Sequence, residues 1–165
     1  MIIPTTQFLL ESPLGTCLLQ GQGEQVLSIQ FAEQLEATLP SSKGLKKVAQ
    51  ALKEYFGGRR EHFEASWFLF QGTPFQQQVW QALWNIPYGK TRSYKEIGII
   101  IEKEKAVRAI GRCVGSNPLP IVVPCHRVIG SDGTLTGFAY GLETKRWLLE
   151  LEQSKHYGKQ QSLFL

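Results

Sequence analysis

Apolar and polar residues alternate in three short stretches near the start of the chain, Gln7 to Leu10, Gly15 to Leu19 and Gln25 to Phe31, each bounded by turn-forming residues. Alternation with period two predicts strands with one buried face. The period then lengthens: Leu45, Val48, Leu52, Tyr55 and Phe56 recur at helical spacing, and Gly57-Gly58 closes the run. His62 to Phe70 reads as a further extended segment.

From Thr73 the pattern is mainly helical. Thr73-Pro74-Phe75-Gln76 is a capping box with Pro at the first helical position, and Phe75, Val79 and Leu83 follow as one apolar stripe flanked by Trp80 and Trp84. Pro87-Tyr88-Gly89-Lys90 interrupts it. Ser93-Tyr94-Lys95-Glu96 is a second capping box, opening a short helix through Ile97, Ile100 and Ile101, and a third helix is predicted from about Lys105 to Val114. Ser116-Asn117-Pro118-Leu119-Pro120 cannot be helical. Ile121-Val122-Val123 reads as a buried strand leading into Pro124-Cys125-His126-Arg127-Val128. Helical periodicity returns from Thr144 to Leu151, ending near Glu152, and the polar residues past Ser154 are expected to fray.

These elements predict an α+β chain in two parts: residues 1–70 as an α/β supporting domain with a small antiparallel sheet, and residues 71–165 as a mainly helical domain. A length of 165 residues accommodates both. No apolar run approaches the ~18 residues of a membrane span, and the first ten residues lack the basic start of a signal peptide. A cytoplasmic protein without a membrane partner is expected. Cys17, Cys113 and Cys125 are odd in number and widely spaced, so they offer neither a disulfide framework nor zinc-ligand spacing, and no metal is expected.

Charge changes the picture. The net charge is +4, yet residues 85–147 carry ten Lys or Arg against five Asp or Glu. Such a segment is either a solvated basic face or the footprint of an anionic partner such as nucleic acid. Two short helices with a tight connection inside it suggest a helix-turn-helix. On the third helix Ala106, Ala109, Gly111 and Gly115 are small, and Arg108 and Arg112 lie one turn apart. Small residues admit either a packed neighbouring helix or a nucleic-acid groove, where the arginines reach phosphates or insert between bases.

Cys125 is the candidate nucleophile. A cationic neighbourhood of His126 and Arg127 would favour the thiolate, and His126 could serve as its base, with Arg127 expected as a structural ion-pair partner and not a catalytic residue. On a regular strand, adjacent side chains point to opposite faces, so a Cys–His contact there needs a bend or a bridging water. The dipeptide alone fits a buried inert cysteine, a cysteine hydrolase or a group-transfer site.

The string Val123-Pro124-Cys125-His126-Arg127-Val128 resembles the active-site signature of the O6-alkylguanine-DNA alkyltransferases. Other motifs stand in the family's order: Ile86-Pro87-Tyr88-Gly89 followed by Ser93-Tyr94, Ala106-Val107-Arg108-Ala109-Ile110-Gly111, Asn117-Pro118, and Trp147-Leu148-Leu149 leading to Glu152. The resemblance runs from Thr73 to Glu152 and is of general type before that.

It implies an N-terminal ribonuclease-H-like fold and a C-terminal helix-turn-helix domain. It also implies direct repair of O6-alkylguanine, with O4-alkylthymine left open, by irreversible transfer of one alkyl group per molecule to Cys125. His126 would take the thiol proton through a water, Glu152 would orient the imidazole, Tyr94 would donate to the leaving guanine, and Asn117 would bond backbone near the site. Arg108 would fill the space left by the flipped base, with Ser93, Ala106, Ala109, Gly111 and Arg112 also on the DNA and the third helix in the minor groove. Pro120, Phe138, Ala139 and Tyr140 would line the alkyl pocket. No cofactor is implied, because the damaged base supplies the alkyl group. The partner would be duplex DNA bound by a monomer, with cooperative assembly left open. Relatives that only sense damage carry Trp where this chain has Cys125. One departure stands out: Phe138 and Tyr140 occupy positions where the family often has Tyr and Gly.

Overall fold

The computed structural model describes residues 2–157. The chain divides into two compact units, Met1–Gln71 and Gly72–Leu165.

In the first unit β1 (Thr5–Ser12), β2 (Gly15–Gln22) and β3 (Gln25–Ala32) form an antiparallel meander in the order β1-β2-β3. A register shift between Gln20 and Gly21 kinks β2. The alternation read in the sequence puts Leu10, Cys17, Leu19, Val26, Ile29 and Phe31 in the core. Helix α1 (Lys43–Phe56) buries Leu45, Val48, Ala49, Ala51, Leu52 and Tyr55 within the unit, and the Ser42 side chain caps it by accepting from the Leu45 N–H. The segment read as extended from His62 to Phe70 is mostly irregular. A short 3-10 turn occupies Ala65–Trp67, and Phe68 forms an isolated bridge with Val26. Cys17 is a core residue, its thiol pKa pushed up to about 12 by burial.

The second unit opens with α2 (Pro74–Trp84), whose capping box is formed between Thr73 and Gln76 as the sequence indicates. The Trp80 indole donates to the Cys113 carbonyl at 2.8 Å. Two-residue β4 (Arg92–Ser93) leads into α3 (Tyr94–Ile100), and α4 (Val107–Gly115) follows after a short turn. β4 pairs in parallel with β5 (Val128–Ile129), and α5 spans Leu142–Tyr157. The helix thus runs past Ser154, where fraying was expected; residues 158–165 lie outside the described residues.

The strand expected at Ile121 to Val123 is not there. Val123 N–H bonds the Leu119 carbonyl at 2.8 Å, Pro120 and Val123 make an isolated bridge, and Ile121 has φ 73°. Pro120 and Pro124 bracket the run and bring no N–H donors to a ladder. Its apolar residues are buried as a turn instead, and the parallel pairing falls after the cysteine.

Candidate active site

Cys125, His126 and Arg127 form one turn of 3-10 helix, all three buried. Successive side chains therefore fan out about 120° apart instead of facing opposite sides of a strand. That removes the geometric objection to Cys125 and His126 serving one site.

Glu152 is the fixed point. Its Oε1 lies 2.7 Å from His126 Nε2, and both side chains are fully buried. Arg127 Nε and Nη2 each donate to the same carboxylate at 2.9 Å, and Arg127 Nη1 donates to the Ile86 carbonyl at 2.7 Å. The Gly89 N–H adds a fourth donor to Glu152 at 3.2 Å, and the Gln153 amide returns to the Gly89 carbonyl at 3.0 Å. Gly89 has φ 72°, a conformation that favours glycine, so the Pro87-Tyr88-Gly89-Lys90 break is part of the Glu152 cradle. Burial pushes the Glu152 pKa up, but the hydrogen bonds from His126 and Arg127 and the Arg127 charge outweigh it and hold the carboxyl far below the usual carboxylate range. Burial lowers the His126 pKa against the pull of Glu152, so the ring is neutral at neutral pH. With Glu152 ionised, Nε2 carries the proton, and Nδ1 is the basic nitrogen.

Arg127 is the structural ion-pair partner the sequence reading expected. Arg127 is spent on Glu152, whereas Lys145 acts on Cys125 through its charge. Burial raises the Cys125 pKa; a hydrogen bond from Asn117, the Lys145 charge and the backbone N–H groups of Cys125 and His126 oppose it. The net direction is upward, so the resting sulfur is a thiol that requires a base. Lys145 is fully buried. Its Nζ donates to the carbonyls of Val128, Thr136 and Gly137, pinning both ends of the segment between them. Burial lowers its pKa to about 8, partly offset by Cys125.

Asn117 also braces the loop through two further hydrogen bonds. Its Oδ1 accepts from the Leu119 N–H at 2.9 Å, a local Asx turn, while its Nδ2 donates to the Val123 carbonyl at 2.7 Å across the loop. The Tyr94 hydroxyl donates to the Thr136 carbonyl at 3.2 Å. Ser93 caps α3 in a reciprocal box with Glu96, which engages its hydroxyl. Pro120 is buried in the turn before the cysteine, and Ala139 is exposed. Phe138 and Tyr140 stack edge to face with ring centroids 5.8 Å apart.

Two family models match the chain: the 6-O-methylguanine DNA methyltransferase ribonuclease-like domain over residues 7–66, and the DNA-binding domain of the same family over residues 74–154. The chain belongs to the 6-O-methylguanine DNA methyltransferase family. It is 43% identical over 152 residues to a methylated-DNA–protein-cysteine methyltransferase of Methanosarcina barkeri, covering 88% of this chain and 96% of the relative. A Haemophilus influenzae protein of the same name is 43% identical over 154 residues, 90% of this chain and 86% of that one. Among solved structures, Mycobacterium tuberculosis OGT in complex with DNA superposes with a TM-score of 0.82 at 42% identity, covering 92% of this chain and 93% of that one.

On this methyltransferase-family scaffold, α4 presents Arg108 and Arg112 to solvent, with Ala106, Ala109 and Gly111 partly exposed. Ile110, Cys113 and Val114 face inward. A Cβ placed on Gly111 or Gly115 would meet nothing within 4 Å, so packing inside the protein does not require glycine at either position. Of the two readings of the small residues, the packed-helix one therefore fails at these two glycines.

Lys145 is the site residue that the sequence reading missed. Lys145, Leu148, Leu149 and Glu152 follow the i, i+3, i+4, i+7 spacing of one buried helix face, and a lysine in that stripe was the available signal.

Proposed function

We propose that this protein repairs O6-alkylguanine in duplex DNA by moving the alkyl group onto Cys125, once per molecule. The observation that carries the reading is that His126, on the same buried turn as Cys125, pairs with the buried Glu152 of α5, in a unit matching a methyltransferase DNA-binding family. The Cys125 sulfur attacks the alkyl carbon; the S–C bond forms as the C–O6 bond breaks. His126 Nδ1 takes the thiol proton through a water, Glu152 stabilises the imidazolium, and Tyr94 donates to the departing guanine. Lys145 stabilises the developing thiolate by charge. The product thioether is stable, so the chain is consumed.

The supporting features for DNA docking are the exposed Arg108 and Arg112 and the open glycine face of α4. We assign α4 to the minor groove, Arg108 to the gap left by the flipped base, Ala106, Ala109, Gly111 and Arg112 to the groove walls and phosphates, and the Ser93 segment to the backbone. Pro120, Phe138, Ala139 and Tyr140 are assigned to the alkyl pocket, residues 1–70 to a supporting role, and the working form to a monomer. No described helix is long and apolar enough to cross a membrane. The hydrolase reading has no feature in its favour beyond Cys125 and His126 themselves.

The test is intact-mass and peptide analysis after incubation with a duplex bearing O6-methylguanine. One added methyl group on Cys125, stopping at one per molecule and absent in Cys125→Ala, is expected. No mass gain, or turnover beyond one, overturns the reading.

A further inference from the structure

The first unit hides a strong charge separation behind a near-neutral total. Residues 1–42 contain no Lys or Arg, whereas Lys43, Lys46, Lys47, Lys53, Arg59 and Arg60 crowd into residues 43–60 against one acid, Glu54. Glu54 is held by Arg60 Nε at 2.8 Å. On α1 the residues Lys43, Lys46, Lys47, Gln50 and Lys53 are all exposed and recur at three- and four-residue intervals, so they form one stripe opposite the buried face.

This arrangement works against the helix that carries it. The first turn of α1 has no acidic residue of its own and begins with Lys43, so its cations sit at the positive end of the macrodipole, where the Glu24 carboxylate accepts from the Gly44 N–H. Lys43 repels Lys46 and Lys47 at i+3 and i+4. The patch is also built into the fold: Lys47 Nζ sits 4.4 Å from the Trp67 ring centroid, with the Arg60 guanidinium at 5.7 Å from the same ring. Lys43, Lys47, Ser66 and Trp67 border a cavity of about 300 Å³ together with Glu24.

We propose that the lysine stripe of α1 is a second, sequence-independent contact to the phosphate backbone of duplex DNA, separate from the α4 face. The occupant follows from charge complementarity: four exposed lysines along one helix face, outnumbering the single Glu24 carboxylate at its N-terminal end, suit a polyanion, and the family reading, on which this inference rests, supplies DNA as that polyanion. The contact carries no chemistry. It raises affinity and salt sensitivity for DNA of any sequence.

The experiment measures binding of the full chain to an unmodified fluorescent duplex by anisotropy across a salt series. The wild type is compared with Lys43→Gln/Lys46→Gln/Lys53→Gln, which leaves the Lys47–Trp67 contact intact. The slope of log affinity against log salt is expected to shrink by about 2 to 3, near 0.9 per lost phosphate contact. Transfer from free O6-methylguanine base is expected to be unchanged, and the thermal midpoint unchanged or higher, which shows that the variant is folded. An unchanged slope in the variant, against a wild type that binds DNA, overturns the stripe alone. A wild type that binds no duplex overturns the family reading and this inference together.

Discussion

Tyr94 and Lys145 donate to a single acceptor, the Thr136 carbonyl, at 3.2 and 2.9 Å. The residue proposed to assist the leaving guanine and the cation whose charge acts on the nucleophile are thus tied to one point on the loop that leads to Phe138 and Tyr140. A change at Lys145 therefore reaches both the thiol and the pocket.

Lys145→Met keeps much of the volume but removes the charge and all three donors. The thiol loses its opposing cation, so the rising limb of the transfer rate should move to higher pH. The stranded carbonyls should cost about 1–3 kcal/mol of stability. A pH–rate profile with free O6-methylguanine and a urea titration check this; an unshifted profile would remove Lys145 from the mechanism.

The Glu152 cradle predicts acid lability with a defined sign. His126 has a pKa below its ordinary 6.5, so the unfolded chain binds that proton more readily and stability falls as pH drops below 6.5. Glu152 is depressed far below 4.5, so its contribution is full above 4.5 and is lost as pH falls further. Glu152→Gln should flatten the lower part of a denaturant-midpoint curve. At neutral pH it should cost about 3–5 kcal/mol, because Arg127 is left buried without its counter-charge.

Gly111→Leu separates folding from docking. The site is open and leucine favours helix over glycine by roughly 1 kcal/mol, so the midpoint of unfolding should rise. Affinity for duplex DNA should fall, because the added side chain stands between the α4 backbone and the groove. Equal or tighter binding would argue against the assigned face.

Arg108→Ala should slow transfer from duplex O6-methylguanine while leaving transfer from the free base untouched, since the arginine is assigned to base extrusion alone. Equal slowing with both substrates would place Arg108 in the chemistry or the fold.

Tyr140 stacks on Phe138 where small residues are common in the family, so the pocket should be narrower than usual. Tyr140→Gly is expected to react faster with benzylguanine than the native chain. Competition against O6-methylguanine is the measurement, and an unchanged ratio would sink the idea.

Local chemistry made much of this protein legible in advance. The capping boxes at Thr73 and Ser93 start their helices because each uses side chains three residues apart, and the strand alternation works because one sheet face is buried. The motif order pointed to Cys125, His126 and Glu152. Tertiary structure decided the rest. Whether Ile121 to Val123 is strand or turn depended on what the flanking prolines could pair with, which an apolar run cannot report. Which acid Arg127 pairs with, and that the Lys145 charge acts on the thiol, depended on where α5 comes to rest. Charge acts through distance in space, and spacing along the chain fixes that distance only within a single element.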